Sequence, residues 1–279
     1  MNTKLKNKAL GSLVGFAIGD AMGATTEFMT KEQIKQEYGY VDDILGGGWL
    51  NLPKGQVTDD TQMMLCVARG IMSADINRRP ISNIAREFIQ WLDSDPPDVG
   101  NCCRRAIIQN KDYPAESWHT RNESYQELCG KYDLGNGGLM RCLVPCLLED
   151  PSTSLVQSRL THSNSICDAA ILTYYMAIKS AVHTDKIESR PQLMDPTGHV
   201  EHTLNNALYW AGKSFKEGIL GAVNDGGDAD TIAALTGGLL GARYGYNRIK
   251  AIAGKWIRHL DYKVLQELET VADYIGERG

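Results

Sequence analysis

The chain has 279 residues, of which 43% are hydrophobic and 23% are charged, and its net charge is -5. This composition is that of a soluble protein with a substantial core, and the negative charge gives no reason to expect nucleic acid or an anionic membrane surface as a partner. The seven cysteines, with Cys102 and Cys103 adjacent, match neither a disulfide framework nor a paired Cys-x-x-Cys zinc site. We therefore expect a cytoplasmic protein.

The first predicted element is a buried helix. Three lysines precede the apolar segment 9–19, which superficially resembles a secretory signal, but the segment contains three glycines and ends at Asp20. Its apolar residues recur at helical spacing, and no apolar run reaches the roughly 18 residues of a membrane span. Gly11, Gly15 and Gly19 recur every four residues and predict a smooth face that another backbone can approach closely.

Helical periodicity continues along the rest of the chain, and runs of alternating β-branched residues are nearly absent. The further helices are predicted at 61–74, 81–93, 101–109, 138–149, 153–159, 163–183, 201–220, 231–243 and 246–276, the last one broken. Long loops are predicted at 38–57, 94–100, 111–137 and 184–200, and loops of this length are often functional. We expect one all-α domain over residues 1–279, and a monomer.

Two acidic helix starts are the strongest chemical signal. Thr58-Asp59-Asp60-Thr61 and Asp228-Ala229-Asp230-Thr231 each precede an apolar helical run. Asp and Thr are good helix N-caps, so either stretch alone is better explained as a cap than as a metal site. A helix N-cap needs only one side chain, however, and each of these helix starts has several acidic or hydroxyl side chains. Converging carboxylates and hydroxyls would suit Mg²⁺ or Mn²⁺.

Three weaker signals lie elsewhere. The glycine-rich segment from Gly135 to Gly138 precedes a helix, where backbone N–H groups can hold phosphate, although such a loop is more often only a turn. Considered by itself, Glu27 is better explained as an ordinary surface carboxylate. The position of His162 at a predicted helix start fits a capping or structural role as well as it fits a role as a metal or substrate ligand.

Taken together, these motifs resemble the ADP-ribosylglycohydrolase family, in the right order and from about residue 9 to residue 245. Within that family, the segment from Gly46 to Thr61 resembles the dinitrogenase reductase-activating glycohydrolase branch. The matching motifs are Gly19-Asp20-Ala21-Met22-Gly23 with Glu27-Phe28, Gly55 to Thr61, Asp98-Val99-Gly100, Gly135 to Arg141, Thr161-His162, and Gly226 to Thr231.

The resemblance implies a compact orthogonal helical bundle with two Mg²⁺ or Mn²⁺ ions at the base of an ADP-ribose cleft. The implied metal ligands are Thr58, Asp59, Asp60, Asp228, Asp230 and Thr231, with Glu27 at the same centre. Asp98 falls where the branch has an acid close to the scissile bond. The implied substrate contacts are Gly135, Asn136, Gly137 and Gly138 for the diphosphate, His162 for the ribose, and Tyr209 or Trp210 for the adenine.

One departure from the family pattern concerns substrate preference. Where the family often has a Thr pair, this chain has Cys102 and Cys103, which we expect behind the cleft.

Such a site supports hydrolysis of a glycosidic bond at the ribose. Divalent ions can fix the ribose hydroxyls and lower the pKa of a bound water, and Asp98 or Glu27 can transfer a proton. The prediction is a hydrolase that removes ADP-ribose from a protein side chain, with arginine as the expected acceptor and dinitrogenase reductase as a candidate substrate. Two alternatives stay open, namely a silent ADP-ribose-binding or structural protein and a different binuclear-metal phosphohydrolase.

Overall fold

A computed structural model describes residues 2–74, 80–129, 133–188 and 191–278. Within these ranges the chain forms fourteen α-helices and no strand, so the all-α prediction is confirmed. Residues 130–132 and 189–190, which belong to two predicted loops, lie outside the described residues. The helices are α1 (Thr3–Gly23), α2 (Lys31–Glu37), α3 (Asp59–Met72), α4 (Ile81–Asp93), α5 (Asn101–Asn110), α6 (Trp118–Cys129), α7 (Leu143–Leu147), α8 (Pro151–Arg159), α9 (Ser165–Thr184), α10 (Val200–Ala211), α11 (Phe215–Asp225), α12 (Ala229–Tyr244), α13 (Tyr246–His259) and α14 (Tyr262–Arg278).

Helix α1 is the central element of the bundle. Every residue from Lys8 to Gly23 is buried, as is typical of a helix that is surrounded by other helices on all sides. The predicted buried helix is therefore confirmed, although it begins earlier than residue 9. No described helix combines the length and the hydropathy that a bilayer crossing needs.

The glycines of α1 lie directly against α12. A Cβ atom added to Gly15 would lie 2.3 Å from the carbonyl oxygen of Gly237, and one added to Gly19 would lie 2.0 Å from that of Ala233. Gly11 meets Gly241 in the same way. The order of these contacts shows that the two helices run antiparallel, with backbone touching backbone. The predicted smooth face of α1 is confirmed.

Several predicted boundaries need correction. Helix α6 lies in a segment that was predicted as a loop, α2 lies in a segment for which no element was predicted, and the predicted helix 201–220 is two helices, α10 and α11. Ser214 and Glu217 form a capping box that starts α11 at this break. The predicted helix 138–149 shortens to α7, preceded by a 3₁₀ turn at Asn136–Gly138. The break predicted within 246–276 is confirmed, between α13 and α14.

Two hydrophobic clusters hold the helices together. The larger surrounds α1, α9, α10, α11 and α12. The smaller packs α3 and α4 against α5 and α6, around Phe88, Trp91 and Trp118. The C-terminal end of α1 and the starts of α3 and α12, which carry the acidic motifs, are in contact with one another.

We predict that Gly15→Ala destabilises the protein by about 3 kcal/mol or more, because the added methyl group meets backbone atoms that cannot move aside. Gly254→Ala in α13 is the matched control, since its Cβ would have no neighbour closer than 3.6 Å. Thermal unfolding measures both variants. Equal melting temperatures for Gly15→Ala and the unchanged protein would contradict the packing described here.

Candidate active site

The two acidic helix starts differ in how they use their side chains. Thr58 is the N-cap of α3, and its Oγ1 accepts the Asp60 N–H at 3.4 Å. Asp228 occupies the N-cap position of α12, but its side chain makes no capping bond. Its Oδ2 instead accepts hydrogen bonds from Asn136 Nδ2 at 2.6 Å and from Thr203 Oγ1 at 3.4 Å. The acidic side chains therefore exceed what capping uses.

The two starts, 170 residues apart in sequence, meet in space. Thr58 Oγ1 lies 3.4 Å from Asp230 Oδ2, and Thr231 Oγ1 donates to Asp60 Oδ2 at 3.2 Å. Carboxylate oxygens of Glu27, Asp98 and Asp230 all lie within 4.8 Å of one another. The structure thus brings together both motifs, the acid of the 27–28 turn and the acid of the 94–100 loop.

Asp20 is a residue of this region to which the sequence analysis gave no role. It is fully buried in α1, and its two carboxylate oxygens accept the backbone N–H groups of Thr58 at 2.9 Å and Thr61 at 3.0 Å. It therefore fixes the start of α3 against α1, with Asp59 and Asp60 between the two bonds. The sequence signal that could have revealed this role was a single acidic residue directly after an apolar helical segment. A carboxylate that is buried in such a helix needs hydrogen-bond donors from a neighbouring element.

A cavity of about 400 Å³ opens over the acidic cluster. Of the predicted site residues, those that line it are Glu27, Asp59, Asp98, Gly135, Asn136, Gly137, His162, Asp228, Asp230 and Thr231. Thr58 and Asp60 are fully buried. Gly138 packs against Ser158. A more open groove of about 870 Å³ adjoins the cavity and shares Phe28 with it, but the carboxylate cluster lies in the smaller one.

Tyr209 is not among the residues that line the cavity, so the geometry gives no support to its predicted role. Its ring packs edge-on against Trp210 and lies under the ammonium group of Lys213. The expectation for the cysteine pair holds only in part: Cys102 and Cys103 both line the cavity, and Cys103 also packs into the smaller hydrophobic cluster.

His162 and the glycine-rich loop form one wall of the cavity. A Cβ added to Gly137 would lie 2.6 Å from His162 Cε1 and 2.9 Å from Cys103 Sγ, so this position requires glycine. His162 Nδ1 pairs with Thr161 Oγ1 at 2.7 Å. Burial lowers the pKa of His162 to about 3, assisted by the charges of Arg141 and Arg105. The imidazole is therefore neutral.

Burial raises the pKa of every carboxyl group in the cluster, and the charges of the neighbouring acids raise most of them further. The pKa reaches about 8 for Glu27 and for Asp59 and about 6 for Asp228, and it lies well above the ordinary value for Asp60 and Asp230. Without a cation, the cluster resists full ionisation.

The donor atoms fit a hard divalent cation. Asp60 Oδ1 and Asp230 Oδ1 are buried and have no hydrogen-bond partner among the described residues. An oxygen that is buried without a donor is costly unless a cation takes the donor's place. The atoms of the cluster that could ligate a metal are carboxylate and hydroxyl oxygens, which are the ligands that Mg²⁺ and Mn²⁺ prefer.

Fold and cleft together define an α-helical enzyme with an acidic, oxygen-lined active site. A family model described as ADP-ribosylglycohydrolase matches residues 1–197 and 183–279. The chain belongs to the ADP-ribosylglycohydrolase family, and the predicted hydrolase class is confirmed.

Individual relatives agree with this assignment. The chain is 37% identical over 293 residues to the ADP-ribosyl-[dinitrogen reductase] glycohydrolase of Rhodospirillum rubrum, covering 96% of this chain and 95% of that one. It is 31% identical to the ADP-ribosylarginine hydrolase Tri1 of Serratia proteamaculans, over 87% of this chain and 73% of the relative. A solved structure titled ADP-ribosylglycohydrolase-related protein complex superposes with a TM-score of 0.75 at 26% identity, covering 99% of both chains.

We predict that the metal-free protein loses stability as the pH rises from about 4 to about 8. The raised folded-state pKa values mean that protonated carboxyls favour folding at acidic pH, and this contribution is lost as Glu27 and Asp59 ionise. Divalent ions should therefore raise the melting temperature more at about pH 8 than at about pH 5.

Melting curves of chelator-treated protein, with and without Mn²⁺, measure this dependence. Asp230→Asn is the control variant, because it removes one buried charge from the cluster. It should melt higher than the unchanged metal-free protein at the alkaline end and gain less from Mn²⁺. A metal-free melting temperature that rises over this interval would contradict the electrostatics of the cluster.

Proposed function

We propose that this protein is a divalent-metal-dependent glycohydrolase that releases ADP-ribose from a modified arginine side chain. The observation that supports this most is the meeting of the two acidic helix starts with Glu27 and Asp98 beneath the glycine-rich loop. The names of the relatives from R. rubrum and S. proteamaculans supply the substrate class. Dinitrogenase reductase is a candidate target on the same ground.

In this proposal, two Mg²⁺ or Mn²⁺ ions are held by the oxygens of the helix starts. The proposed ligands are Thr58, Asp59, Asp60, Asp228, Asp230 and Thr231, with Glu27 at the same centre, where its carboxylate lies within 4.8 Å of those of Asp98 and Asp230. When bound, the ions supply a water of lowered pKa and a fixed point for the ribose hydroxyls. Asn136 would orient the Asp228 carboxylate through its 2.6 Å hydrogen bond, as outer residues commonly orient metal ligands.

The remaining roles follow from the positions of the side chains around the cavity. Gly135 and Gly137 line the cavity with backbone and carry no side chain, which suits close approach of a diphosphate. Neutral His162 would contact the ribose without adding charge. Glu27 and Asp98 face the reacting bond in this scheme. One of them takes a proton from the attacking water as its oxygen bonds to the ribose carbon, and that proton passes to the nitrogen as the bond between this carbon and the nitrogen breaks.

A single domain, a monomeric state and a cytoplasmic location stay predictions, since nothing above tests them. The described cysteines are all free, which agrees with a reducing environment.

We predict that Asp59→Asn abolishes release of ADP-ribose and weakens Mn²⁺ binding, because it removes a charged oxygen that lines the cavity. Asp273→Asn is the matched control, because this acid lies on α14 and forms a surface ion pair with Lys6 of α1. Activity is measured as free ADP-ribose, and ion binding by calorimetry. Full activity of Asp59→Asn, or of metal-stripped protein, would contradict a metal-dependent reaction.

We predict that the protein releases ADP-ribose from ADP-ribosyl-arginine and not from ADP-ribosyl-serine or from a generic phosphodiester. All three substrates are assayed with and without Mn²⁺ or Mg²⁺. Affinity for ADP-ribose with no turnover of any substrate would indicate a silent binding protein. Cleavage of the phosphodiester alone would indicate a phosphohydrolase.

A further inference from the structure

Trp49 is held in a fixed position although it contributes little to the core. Its side chain is 52% exposed, whereas Trp91, Trp118 and Trp256 are at most 7% exposed. Its indole Nε1–H donates a hydrogen bond of 2.6 Å to Oε2 of Glu27, in the acidic cluster. A half-exposed tryptophan buries less apolar surface than the tryptophans of the core, and the polar contact that its indole makes with the interior is the hydrogen bond to Glu27.

The turn that carries Trp49 is built against the end of α1. Gly46, Gly47 and Gly48 all have φ between 65° and 79°, a region that other residues rarely adopt. A Cβ added to Gly48 would lie 2.2 Å from the carbonyl oxygen of Ala24, so the turn touches the backbone three residues before Glu27. Thr25 Oγ1 also donates to the Gly46 carbonyl oxygen at 3.1 Å.

Both ends of the loop are tied to the C-terminal helices. The Asp43 carboxylate contacts Lys255 Nζ at 2.9 Å and His259 Nδ1 at 3.0 Å. The Gly55 carbonyl oxygen accepts the Asp261 N–H at 3.0 Å. The backbone of the loop that carries Trp49 is therefore anchored by contacts that do not involve the acidic cluster.

The residue after Glu27 is held as firmly from the other side. Phe28 adopts a φ of 63°, and its N–H donates to the Gly227 carbonyl oxygen at 2.7 Å. Its ring packs against Trp49, with the ring centroids 5.4 Å apart. Strained backbone of this kind persists where the surroundings impose it, often at functional sites.

We propose that Trp49 is a positioning residue, whose indole N–H fixes the Glu27 carboxylate in the orientation that completes the metal centre. This inference rests on the proposed function, in which the acidic cluster holds divalent ions. The loop from Asp43 to Gly55 then serves as a rigid support that presents one hydrogen-bond donor to one carboxylate oxygen.

The test compares Trp49→Phe with Trp49→Gln. Phe keeps a ring against Phe28 but has no donor, whereas Gln places an amide nitrogen the same number of bonds from Cα as the indole nitrogen. We expect Trp49→Phe to bind Mn²⁺ about tenfold more weakly, which is the usual effect of removing a hydrogen bond to a ligand, and Trp49→Gln to recover most of the affinity. In turnover, Trp49→Phe should lower kcat and leave KM nearly unchanged.

Trp118→Phe is the matched control, because it removes an indole N–H that bonds the Tyr113 carbonyl oxygen, outside the cluster. Calorimetric titration with Mn²⁺ measures affinity, and metal-free melting curves confirm that each variant is folded. Wild-type affinity in Trp49→Phe, or an equal loss in Trp49→Gln, would overturn the inference. Failure of the unchanged protein to bind Mn²⁺ would instead overturn the proposed function.

Discussion

The backbone contact between α1 and α12 is the constraint on which the active site depends. Because the two helices run antiparallel with glycines at the contact, the C-terminal end of α1 meets the start of α12. A Cβ added to Gly23 would lie only 2.4 Å from the Cα of Asp230. The register of the contact therefore brings the acids of α12 to the turn that carries Glu27, and Asp20 brings the start of α3 to the same place.

This arrangement concentrates negative charge at a cost to stability. Buried acidic groups raise one another's pKa, and one carboxylate oxygen each of Asp60 and Asp230 has no hydrogen-bond donor among the described residues. Helix capping does not account for this cluster, since Thr58 and Asp20 accept the first-turn N–H groups of Asp60 and Thr61 in α3. The surrounding contacts, including those of the loop that carries Trp49, hold the acids together, and in the proposed function divalent cations compensate their charge.

Some features of the fold and of the candidate site could be predicted from the sequence and others could not, depending on the kind of sequence signal. The acidic helix starts, the glycines of α1 and the order of motifs were readable because each combines an unusual residue type with a definite spacing. Helix α6 was missed because its sequence is mostly polar, and buried Asn122 holds it through hydrogen bonds with Asn110 and the Leu160 carbonyl oxygen. Tyr209 could not be judged, since the outline of a cleft depends on how distant helices pack. The donor role of Trp49 likewise needed the folded loop.

The central claim is that two distant helix starts form one metal centre. Anomalous diffraction from crystals soaked in Mn²⁺ tests it most directly. The account predicts anomalous peaks at the cluster, with oxygens of Asp60 and Asp230 within about 2.2 Å of the ions. Ordered Mn²⁺ elsewhere in the molecule, with no peak among these carboxylates, would contradict it.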